Sequence, residues 1–316
     1  MLIEEQLQQI DFPGKPVALY DPIRYMLAIG GKRMRPLLVL MGCDAFNGDI
    51  YKAIYPAVGV EVFHNFTLLH DDLMDNAPLR RTKQTVHTKW NPNIAILSGD
   101  AMFVKASQLV MQTDDVHIRP LMEVFNKTAL EVCEGQQYDM DFETSANVSL
   151  EDYLQMIEKK TAVLLGCALK MGAIIANASA EDAEHIYETG RNLGMAFQLQ
   201  DDLLDLYGSE DQFGKMPGGD IVSNKKTFLV LKAFELVDEQ QRSGLLYILN
   251  NRHLNDVERV QKVKSIFDSL NIMQHTEEVI DHYYTLAMKE LHTLHVADKN
   301  KQQLIMLAQS LRMRVV

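Results

Sequence analysis

The stretch His70-Asp71-Asp72-Leu73-Met74-Asp75 follows a long apolar run and is the most informative part of this chain. It recurs in altered form as Gln200-Asp201-Asp202-Leu203-Leu204-Asp205, and both copies read Asp-Asp-x-x-Asp. Residues four apart share one face of a helix, where like charges repel. The repeated motif therefore predicts a cation between the carboxylates. Hard oxygen ligands without a nearby Cys or His pair favour Mg²⁺, which commonly keeps open positions for substrate phosphates.

A single such motif in an acidic protein is more often a solvated helix face than a metal site. Two copies change that balance, because each follows an apolar run, at residues 58–69 and 193–199. Each is also followed by basic residues, which could neutralise phosphate groups. These are Arg80-Arg81 after the first copy, and Lys215 and Lys225-Lys226 after the second.

Length and charge limit the function classes. The chain has 316 residues, 47% of them hydrophobic, with a formal net charge of −12. One or two domains fit this length, but no linker is visible, and we expect a single domain over 1–316. There is no basic stripe of the kind that binds nucleic acid. Short basic clusters such as Lys32-Arg33-Met34-Arg35 suit small anions instead.

Cysteine use and hydropathy predict a soluble, cytoplasmic protein. Cys43, Cys133 and Cys167 are far apart in apolar contexts, which fits buried reduced thiols better than disulfides or a zinc site. The first residues lack the basic region of a signal peptide. Residues 161–180 are the most lipid-like, but they contain Lys170, which would cost about 2.5–3.5 kcal/mol in mid-bilayer. We therefore expect a buried helix there.

The distribution of proline predicts an all-α protein. Residues 121–216 contain no proline and are rich in strong helix formers, and alternating β-branched segments are hard to find. Arg80-Arg81 should lie in a loop, Ser149 and Asp152 should form a capping box, and Ser179 and Asn224 should cap helices. The expected helices cover residues 21–28, 37–46, 51–76, 94–112, 117–142, 149–177 with a break near 159–161, 179–207, 225–237, 243–250, 256–270 and 276–311.

Together the motifs resemble those of trans-isoprenyl diphosphate synthases, in the same order and over about residues 30–227. The resemblance implies the all-α isoprenoid synthase fold, with helices around a deep central cavity and the two acidic motifs facing each other at its mouth. It also implies a homodimer. The matching segments are Gly30-Gly31-Lys32-Arg33-Met34-Arg35-Pro36, 70–76 with Arg80-Arg81, Gly135-Gln136-Gln137-Tyr138-Asp139, Lys160-Thr161, 197–205 and Phe213-Gly214-Lys215 through Lys226-Thr227.

The resemblance implies a Mg²⁺-dependent condensation of isopentenyl diphosphate with an allylic diphosphate. Asp71 and Asp75 would hold two Mg²⁺ ions, and Asp201 with Asp205 a third. Arg80 matches a residue assigned to the allylic substrate. The residues around the allylic diphosphate or the developing cation would be Lys160, Thr161, Gln198, Lys215 and Lys225. The metal-free pocket for isopentenyl diphosphate would contain Lys32, Arg35, His64 and Arg81. Of these, Asp71, Asp75, Arg80, Lys160, Thr161, Gln198, Asp201 and Lys215 would take part in catalysis.

Some of these residues carry little weight individually. His64 lies on an apolar helix, where a lone histidine is usually a satisfied core residue. Thr161 alone would suggest a cap or a surface position, and Gln198 alone carries almost no signal. Their assignment depends on the motifs that contain them.

Product length is predicted by Phe66 and Thr67, five and four residues before Asp71. In the family the former position helps to floor the tunnel that holds the growing chain. An aromatic floor without a two-residue insertion in the motif resembles synthases of geranylgeranyl diphosphate (C20), with farnesyl diphosphate (C15) as the alternative. Helix geometry places Phe63 and Thr67 nearer than Phe66 to the Asp71 face, so this role comes from the resemblance alone. Thr82 departs from the pattern, since Gly is common there.

Three other functions compete with this hypothesis. A terpene cyclase shares the fold and one aspartate motif, but it would not usually need the second motif or the set Lys32, Arg35 and His64. A non-catalytic subunit of a heteromeric synthase would be expected to lose one acidic motif, and this chain keeps both. The third is a helical interaction scaffold with acidic faces.

Overall fold

The computed structural model describes residues 2–145, 147–208, 217–251 and 253–313. Over these residues the chain is helical except for loops, one π-helical turn (Glu158–Ala162) and one two-stranded hairpin, as the proline distribution predicted. The helices are α1 Leu2–Gln8, α2 Val17–Ala28, α3 Met34–Ala45, α4 Ile50–Met74, α5 Val86–Lys89, α6 Pro92–Val110, α7 Asp115–Thr144, α8 Leu150–Ile157, α9 Val163–Ile175, α10 Ala180–Tyr207, α11 Gly219–Val222, α12 Phe228–Leu236, α13 Glu239–Asn250, α14 Asp256–Ser269, α15 Ile272–Thr293 and α16 Asp298–Arg312.

The helices form two compact units. Unit 1 comprises Met1–Lys127, Cys167–Tyr187 and His295–Asn300. Unit 2 comprises Thr128–Gly166, Glu188–Leu294 and Lys301–Val316. The single domain over 1–316 stays a prediction.

Unit 1 is built on the long helix α4. Asp49 caps its start by accepting a hydrogen bond from the backbone N–H of Tyr51 at 3.0 Å. The apolar run predicted from the sequence is buried along this helix, with Phe63 and Leu69 almost fully inaccessible. Gly59 lets α6 approach closely, since a Cβ there would lie 2.9 Å from the carbonyl oxygen of Ala106. The last turn of α4 carries the first acidic motif, as predicted.

The prediction of a loop at Arg80-Arg81 was wrong. Strands β1 (Leu79–Arg80) and β2 (Lys83–Gln84) pair antiparallel, with Arg80 opposite Lys83. The two turn residues both have positive φ, 49° at Arg81 and 67° at Thr82. Two-residue hairpins favour this geometry, but Gly or Asn normally supplies it. Because this sequence has neither residue there, it gives no local signal for the hairpin.

Unit 2 contains a cap and a break that the sequence predicted. Ser149 and Asp152 form a capping box at α8: Asp152 N–H donates to Ser149 Oγ at 3.1 Å, and Ser149 N–H donates to Asp152 Oδ2 at 2.9 Å. The break expected near residues 159–161 is a π-helical turn, Glu158–Ala162. In unit 1, Ser179 accepts from the Asp182 N–H at 3.0 Å and caps α10, also as predicted.

Several helix boundaries in the last third of the chain were predicted wrongly, and two of them are informative. Asn224 does not cap α12, which begins at Phe228; Asn224 instead has a positive φ of 59°. The single helix expected over 276–311 is two helices, α15 and α16. Residues 293–298 contain neither Gly nor Pro, so no local signal marked this break. In unit 1 the backbone N–H of His295 donates to Asp182 Oδ1 at 2.8 Å, a tertiary contact in place of a helical one.

The expectation of three buried thiols was partly wrong. Cys43 and Cys167 are buried, whereas Cys133 is exposed. The most lipid-like segment contains α9, a helix of 13 residues, most of which are buried. In the part of the chain that the structure describes, every helix is too short or too polar to span a membrane.

Candidate active site

The first acidic motif lies at the C-terminal end of α4. Asp75 caps the helix, and its backbone N–H donates to the Asp71 carbonyl oxygen at 2.9 Å. The Asp71 carboxylate is 22% exposed and Asp75 is exposed, whereas Asp72 is buried. Carboxylates at this end oppose the helix dipole. The motif therefore presents Asp71 and Asp75 to an incoming cation and keeps Asp72 inside.

Arg80 of the hairpin pairs with the buried aspartate. Its Nε lies 2.9 and 2.8 Å from the two carboxylate oxygens of Asp72, and its Nη2 lies 3.4 Å from Asp71 Oδ2. Burial raises the pKa of Asp72, and the Arg80 guanidinium opposes that rise. From the sequence, Arg80 was expected at the allylic substrate, and Asp72 had no assigned role. The hairpin turn, which the sequence did not predict, brings the two together.

Arg81 lies against the glycine loop that precedes α3. Its guanidinium donates to the carbonyl oxygen of Gly30, and a Cβ on Gly31 would lie 2.8 Å from Arg81 Nη1. Gly30 has a φ of +88°, which side-chain-bearing residues rarely adopt. The glycine pair thus leaves room for Arg81 beside Lys32, which is exposed.

Arg35 and His64, predicted for the same pocket, are in contact. Arg35 Nη1 lies 3.1 Å from His64 Nε2. Burial lowers the pKa of His64 well below its usual value, and Arg35, Arg80 and Arg81 lower it further. A neutral imidazole accepts at Nε2, so Arg35 donates to it. The structure therefore brings Arg35, His64 and Arg81 into one cationic neighbourhood.

Arg33 is a structural residue to which the sequence motifs gave no role. Its Nη1 lies 2.6 Å from Glu61 Oε1 and its Nε lies 2.6 Å from Glu4 Oε1. The amide of Asn65 donates to Glu61 Oε1 at 3.1 Å. This buried ion pair fixes the start of α3, next to Lys32 in the loop and Arg35 in the first turn of the helix. The sequence did contain a signal for this ion pair: Glu61 is a charged residue on an apolar helix, and buried charges are nearly always paired.

Phe66 is part of an aromatic cluster in unit 1. Its ring centroid lies 5.6 Å from that of Phe63, 5.5 Å from that of Phe103 and 4.8 Å from the His70 ring. Thr67 is outside this cluster, and its hydroxyl donates to the carbonyl oxygen of His64 at 2.8 Å. Phe103 is on α6, far away in the sequence, so no local pattern connected it to Phe66.

Unit 2 contains a cavity of about 190 Å³ that gathers most of the residues predicted for the allylic diphosphate. The predicted residues that line it are Lys160, Thr161, Gln198 and Lys225. The lining residues without an assignment from the sequence include Asp139, Tyr153, Asp202, Asp220, Lys226 and Thr227. Lys215, also predicted here, lies outside the described residues.

The π-helical turn supplies two adjacent residues to this cavity. In a regular α-helix neighbouring side chains do not share a face, but Lys160 and Thr161 both line the cavity. Single π-helical turns are frequent at functional sites. Lys160 Nζ pairs with Asp139 Oδ2 at 2.5 Å. Gly135 permits the turn, because a Cβ there would lie 2.3 Å from the backbone nitrogen of Lys160.

Asp202 and Asp205 of the second motif lie close to a further acidic residue, Asp220. The Asp220 N–H donates to Asp205 Oδ2 at 2.9 Å. Burial, together with the Asp205 carboxylate, raises the pKa of Asp220 to about 6. Burial, and then the Asp220 carboxylate, raises the pKa of Asp202 to about 7. Carboxylates that raise each other's pKa would be stabilised by a cation.

The donor chemistry of both motifs fits a hard divalent cation. Asp71, Asp75, Asp201 and Asp205 offer carboxylate oxygens with no sulfur or imidazole in the set, as Mg²⁺ prefers. Within the ranges that the structure describes, no group of three His, Cys, Asp or Glu side chains is arranged to hold a metal ion. Mg²⁺ is typically bound by one or two carboxylates plus substrate phosphates, so a complete protein cage is not required.

Comparison with known proteins identifies the family. The polyprenyl synthetase family model matches residues 16–267. A geranylgeranyl diphosphate synthase of Methanosarcina mazei is 43% identical over 223 residues, 70% of this chain and 69% of that protein. One of Saccharolobus solfataricus is 35% identical over 285 residues, 88% of this chain and 85% of that protein. A crystal structure of a geranylgeranyl pyrophosphate synthase superposes with a TM-score of 0.94 at 44% identity, covering 99% of this chain and 97% of the other.

These similarities cover most of the chain, and they extend through both acidic motifs and the basic residues around them. They confirm the fold class that the motifs predicted, and they favour prenyl transfer over the scaffold alternative. This chain belongs to the polyprenyl synthetase family and is an all-α prenyltransferase.

Proposed function

We propose that this chain elongates an allylic diphosphate with isopentenyl diphosphate to geranylgeranyl diphosphate (C20), releasing diphosphate. The observation that carries the proposal is the cavity in unit 2, where Lys160, Lys225, Thr161 and Gln198 line about 190 Å³ beside the second acidic motif. Two ammonium groups next to a hydroxyl and an amide suit an anionic leaving group attached to a carbon that becomes cationic. The relatives named for C20 synthesis support the product length.

The residues of this cavity would assist ionisation of the allylic substrate. The C1–O bond breaks and its electron pair leaves with the diphosphate. Lys160 and Lys225 would stabilise the growing negative charge as point charges. Lys215 is included in this proposal by the resemblance. Asp139 holds Lys160 in place and would release it to the diphosphate, since both are anionic partners for the same ammonium group.

The cationic residues of unit 1 would bind isopentenyl diphosphate. Lys32, Arg35 and Arg81 offer phosphate-binding donors. His64 is neutral and accepts from Arg35, which orients that guanidinium. The isopentenyl double bond then attacks C1 of the allylic cation, and a proton is lost to the released diphosphate. Arg80 is included among the residues for the allylic diphosphate by the resemblance.

Mg²⁺ would be held by Asp71 and Asp75 in the first motif and by Asp201 and Asp205 in the second, with three ions expected from the resemblance. When bound, Mg²⁺ neutralises the charge that develops on the departing diphosphate. Burial and, after it, the nearby Asp205 carboxylate raise the pKa of Asp220, so a cation at this place would relieve repulsion between the carboxylates.

Product length would depend on Phe66 and Thr67. The Phe66 ring packs against the rings of Phe63 and Phe103, which restrict its movement. Thr67 is small and is held by its hydrogen bond to His64. Together they would stop elongation at C20.

A second copy of this chain would cover the outer face of α6. Leu97 and Val104 are 60% and 57% exposed and lie two turns apart on one helix face, with Met111 following at 41%. Such a stripe on an otherwise apolar helix fits a homodimer interface. Light scattering after gel filtration tests it: the wild type should be dimeric, and Leu97→Glu with Val104→Glu should be monomeric. A monomeric wild type would contradict the homodimer.

Product analysis tests the activity. Purified protein is incubated with Mg²⁺, labelled isopentenyl diphosphate and dimethylallyl, geranyl or farnesyl diphosphate in turn, and the dephosphorylated alcohols are chromatographed. A C20 alcohol supports the proposal in full. A C15 alcohol, or a series of alcohols longer than C20, would support the proposed reaction but contradict the assigned product length. No elongation with any starter, in folded protein, contradicts the proposed activity.

A matched pair of variants tests the isopentenyl pocket. Arg35→Gln should raise KM for isopentenyl diphosphate by about ten- to a hundredfold, because a charge-assisted phosphate contact is lost. Arg119→Gln is the control, since Arg119 is an exposed residue of α7 that pairs only with Glu123 among its described contacts. Equal KM values in the two variants would remove Arg35 from the pocket.

A further inference from the structure

Tyr153 of α8 is a buried tyrosine that belongs to none of the motifs. It is 3% exposed and its ring packs in the apolar core of unit 2. Tyr153 is one of the residues that line the cavity, and its hydroxyl donates a hydrogen bond to Asp202 Oδ2. Core packing alone would be served by phenylalanine, so the hydroxyl and its acceptor require their own explanation.

This hydrogen bond is the first of three that run to the edge of the cavity. The second oxygen of Asp202 accepts from Gln198 Nε2 at 3.1 Å. The Gln198 Oε1 accepts from Thr161 Oγ1 at 3.0 Å.

The hydrogen-bond geometry gives the direction of the series. Both Asp202 oxygens accept, Oδ2 from the Tyr153 hydroxyl and Oδ1 from the Gln198 amide nitrogen. The Gln198 oxygen then faces Thr161, which must donate its only proton to that oxygen. Thr161 consequently has no proton left for the cavity that it lines, and presents only lone pairs there.

An oxygen that can only accept attracts positive charge and repels the oxygens of diphosphate. We propose that Tyr153 is a positioning residue for prenyl transfer: through Asp202 and Gln198 it orients the Thr161 hydroxyl so that its lone pairs face the allylic cation and not the leaving group. This inference rests on the proposed function, and it separates the role of Thr161 from that of Lys160, its neighbour on the π-helical turn.

The variant Tyr153→Phe removes the hydroxyl and keeps the ring. We expect kcat to fall about tenfold while the KM values of both substrates change less than about twofold, because the lost interaction acts in the transition state. Tyr207→Phe is the matched control: it removes another tyrosine hydroxyl of unit 2, one that donates to Asp268 Oδ1 at 3.0 Å and is not among those lining the cavity. Its kcat should stay at the wild-type value.

A double-mutant cycle with Thr161 distinguishes positioning from a general loss of stability. Thr161→Val removes the acceptor, so adding Tyr153→Phe to it should cause no further loss of kcat. Thr161→Ser keeps the hydroxyl, and in that background Tyr153→Phe should again cost about tenfold. If circular dichroism shows that Tyr153→Phe is unfolded, Asp202→Asn, which changes the acceptor of the Tyr153 hydroxyl, replaces it in the same cycle with Thr161→Val.

Three outcomes would overturn the inference while leaving the proposed function intact. One is a wild-type kcat in Tyr153→Phe. Another is an equal loss of kcat when Tyr153→Phe is added to the wild type and to Thr161→Val, and the third is an effect on KM alone. A wild-type protein that elongates no starter would instead overturn the proposed function, and this inference with it.

Discussion

Arg80 Nε lies 2.9 and 2.8 Å from the two carboxylate oxygens of Asp72, so the middle aspartate of the first motif is occupied by an arginine. Asp72 is buried, whereas its neighbour Asp71 is 22% exposed. The three aspartates of the motif are therefore not equivalent. Asp71 and Asp75 can be reached by a cation from solvent, and Asp72 attaches the hairpin to the end of α4.

Removing the charge of Asp72 should weaken both stability and allylic-substrate binding. Asp72→Asn leaves Arg80 without its main partner, and we expect a loss of about 1–3 kcal/mol in the free energy of unfolding. Urea denaturation measures this, and steady-state kinetics should show a raised KM for the allylic diphosphate. Asp21→Asn is the control, because its pair with Arg24 is about half exposed and should contribute at most about 1 kcal/mol. Equal stabilities of the two variants would show that the buried pair contributes no more to the free energy of unfolding than the half-exposed pair does.

Changing side-chain size at Phe66 and at Thr67, one turn of α4 before the first motif, should shift product length in opposite directions. Phe66→Ala removes a ring that contacts Phe63 and Phe103, and products longer than C20 should appear. Thr67→Phe adds a ring one position later, and products should shorten towards C15. Chromatography of the dephosphorylated alcohols measures both. A single unchanged product from both variants would mean that this turn of α4 does not limit the chain.

A methyl group at Gly135 should disturb the π-helical turn. The added Cβ would lie 2.3 Å from the backbone nitrogen of Lys160, which cannot yield as a flexible side chain would. We expect Gly135→Ala to lose about 1–3 kcal/mol of stability and to reduce kcat, because Lys160 would move. Gly244→Ala is the matched control in α13, where nothing lies within 4 Å, and it should gain about 0.5–1 kcal/mol. Similar melting temperatures for the two variants would contradict the close approach.

Asp220 should make stability depend on pH when no divalent cation is present. Its pKa is raised from 3.8 to about 6, so the folded state holds a proton that the unfolded chain releases at lower pH. This contribution to stability is complete below about pH 4 and is lost as the pH rises through 6. The stability of Asp220→Asn relative to the wild type should therefore increase by about 1–3 kcal/mol between pH 4 and 7.

Urea denaturation in the presence of a chelator measures this difference. Comparing the two proteins cancels His64, whose lowered pKa acts in the opposite direction: its contribution is present above pH 6.5 and is lost as the pH falls. A difference in stability that does not change with pH would show that the pKa of Asp220 is not raised in the folded protein. Added Mg²⁺ should reduce the difference if the carboxylates bind it.

Local signals in the sequence were sufficient for elements whose causes are local. The capping box at Ser149 and the cap at Ser179 depend on residues three positions apart, and both are present. The hairpin at Arg81 and the end of α15 were missed for the complementary reason. Thr82 supplies a positive φ without the usual Gly, and α15 ends where His295 contacts Asp182, 113 residues away.

The sequence by itself determined the family, the helical class and the residues that are able to bind metal or phosphate. Motif order and helical periodicity are properties of neighbouring residues, so they can be recognised without the tertiary structure. Only the tertiary structure decided how those residues are used. It paired Arg80 with Asp72 and Arg33 with Glu61, and it linked Tyr153 to Asp202 across 49 positions. Buried charges and hydroxyls must find partners wherever the packing brings them. Those partners depend on which helices meet, and that information is absent from any single stretch of the chain.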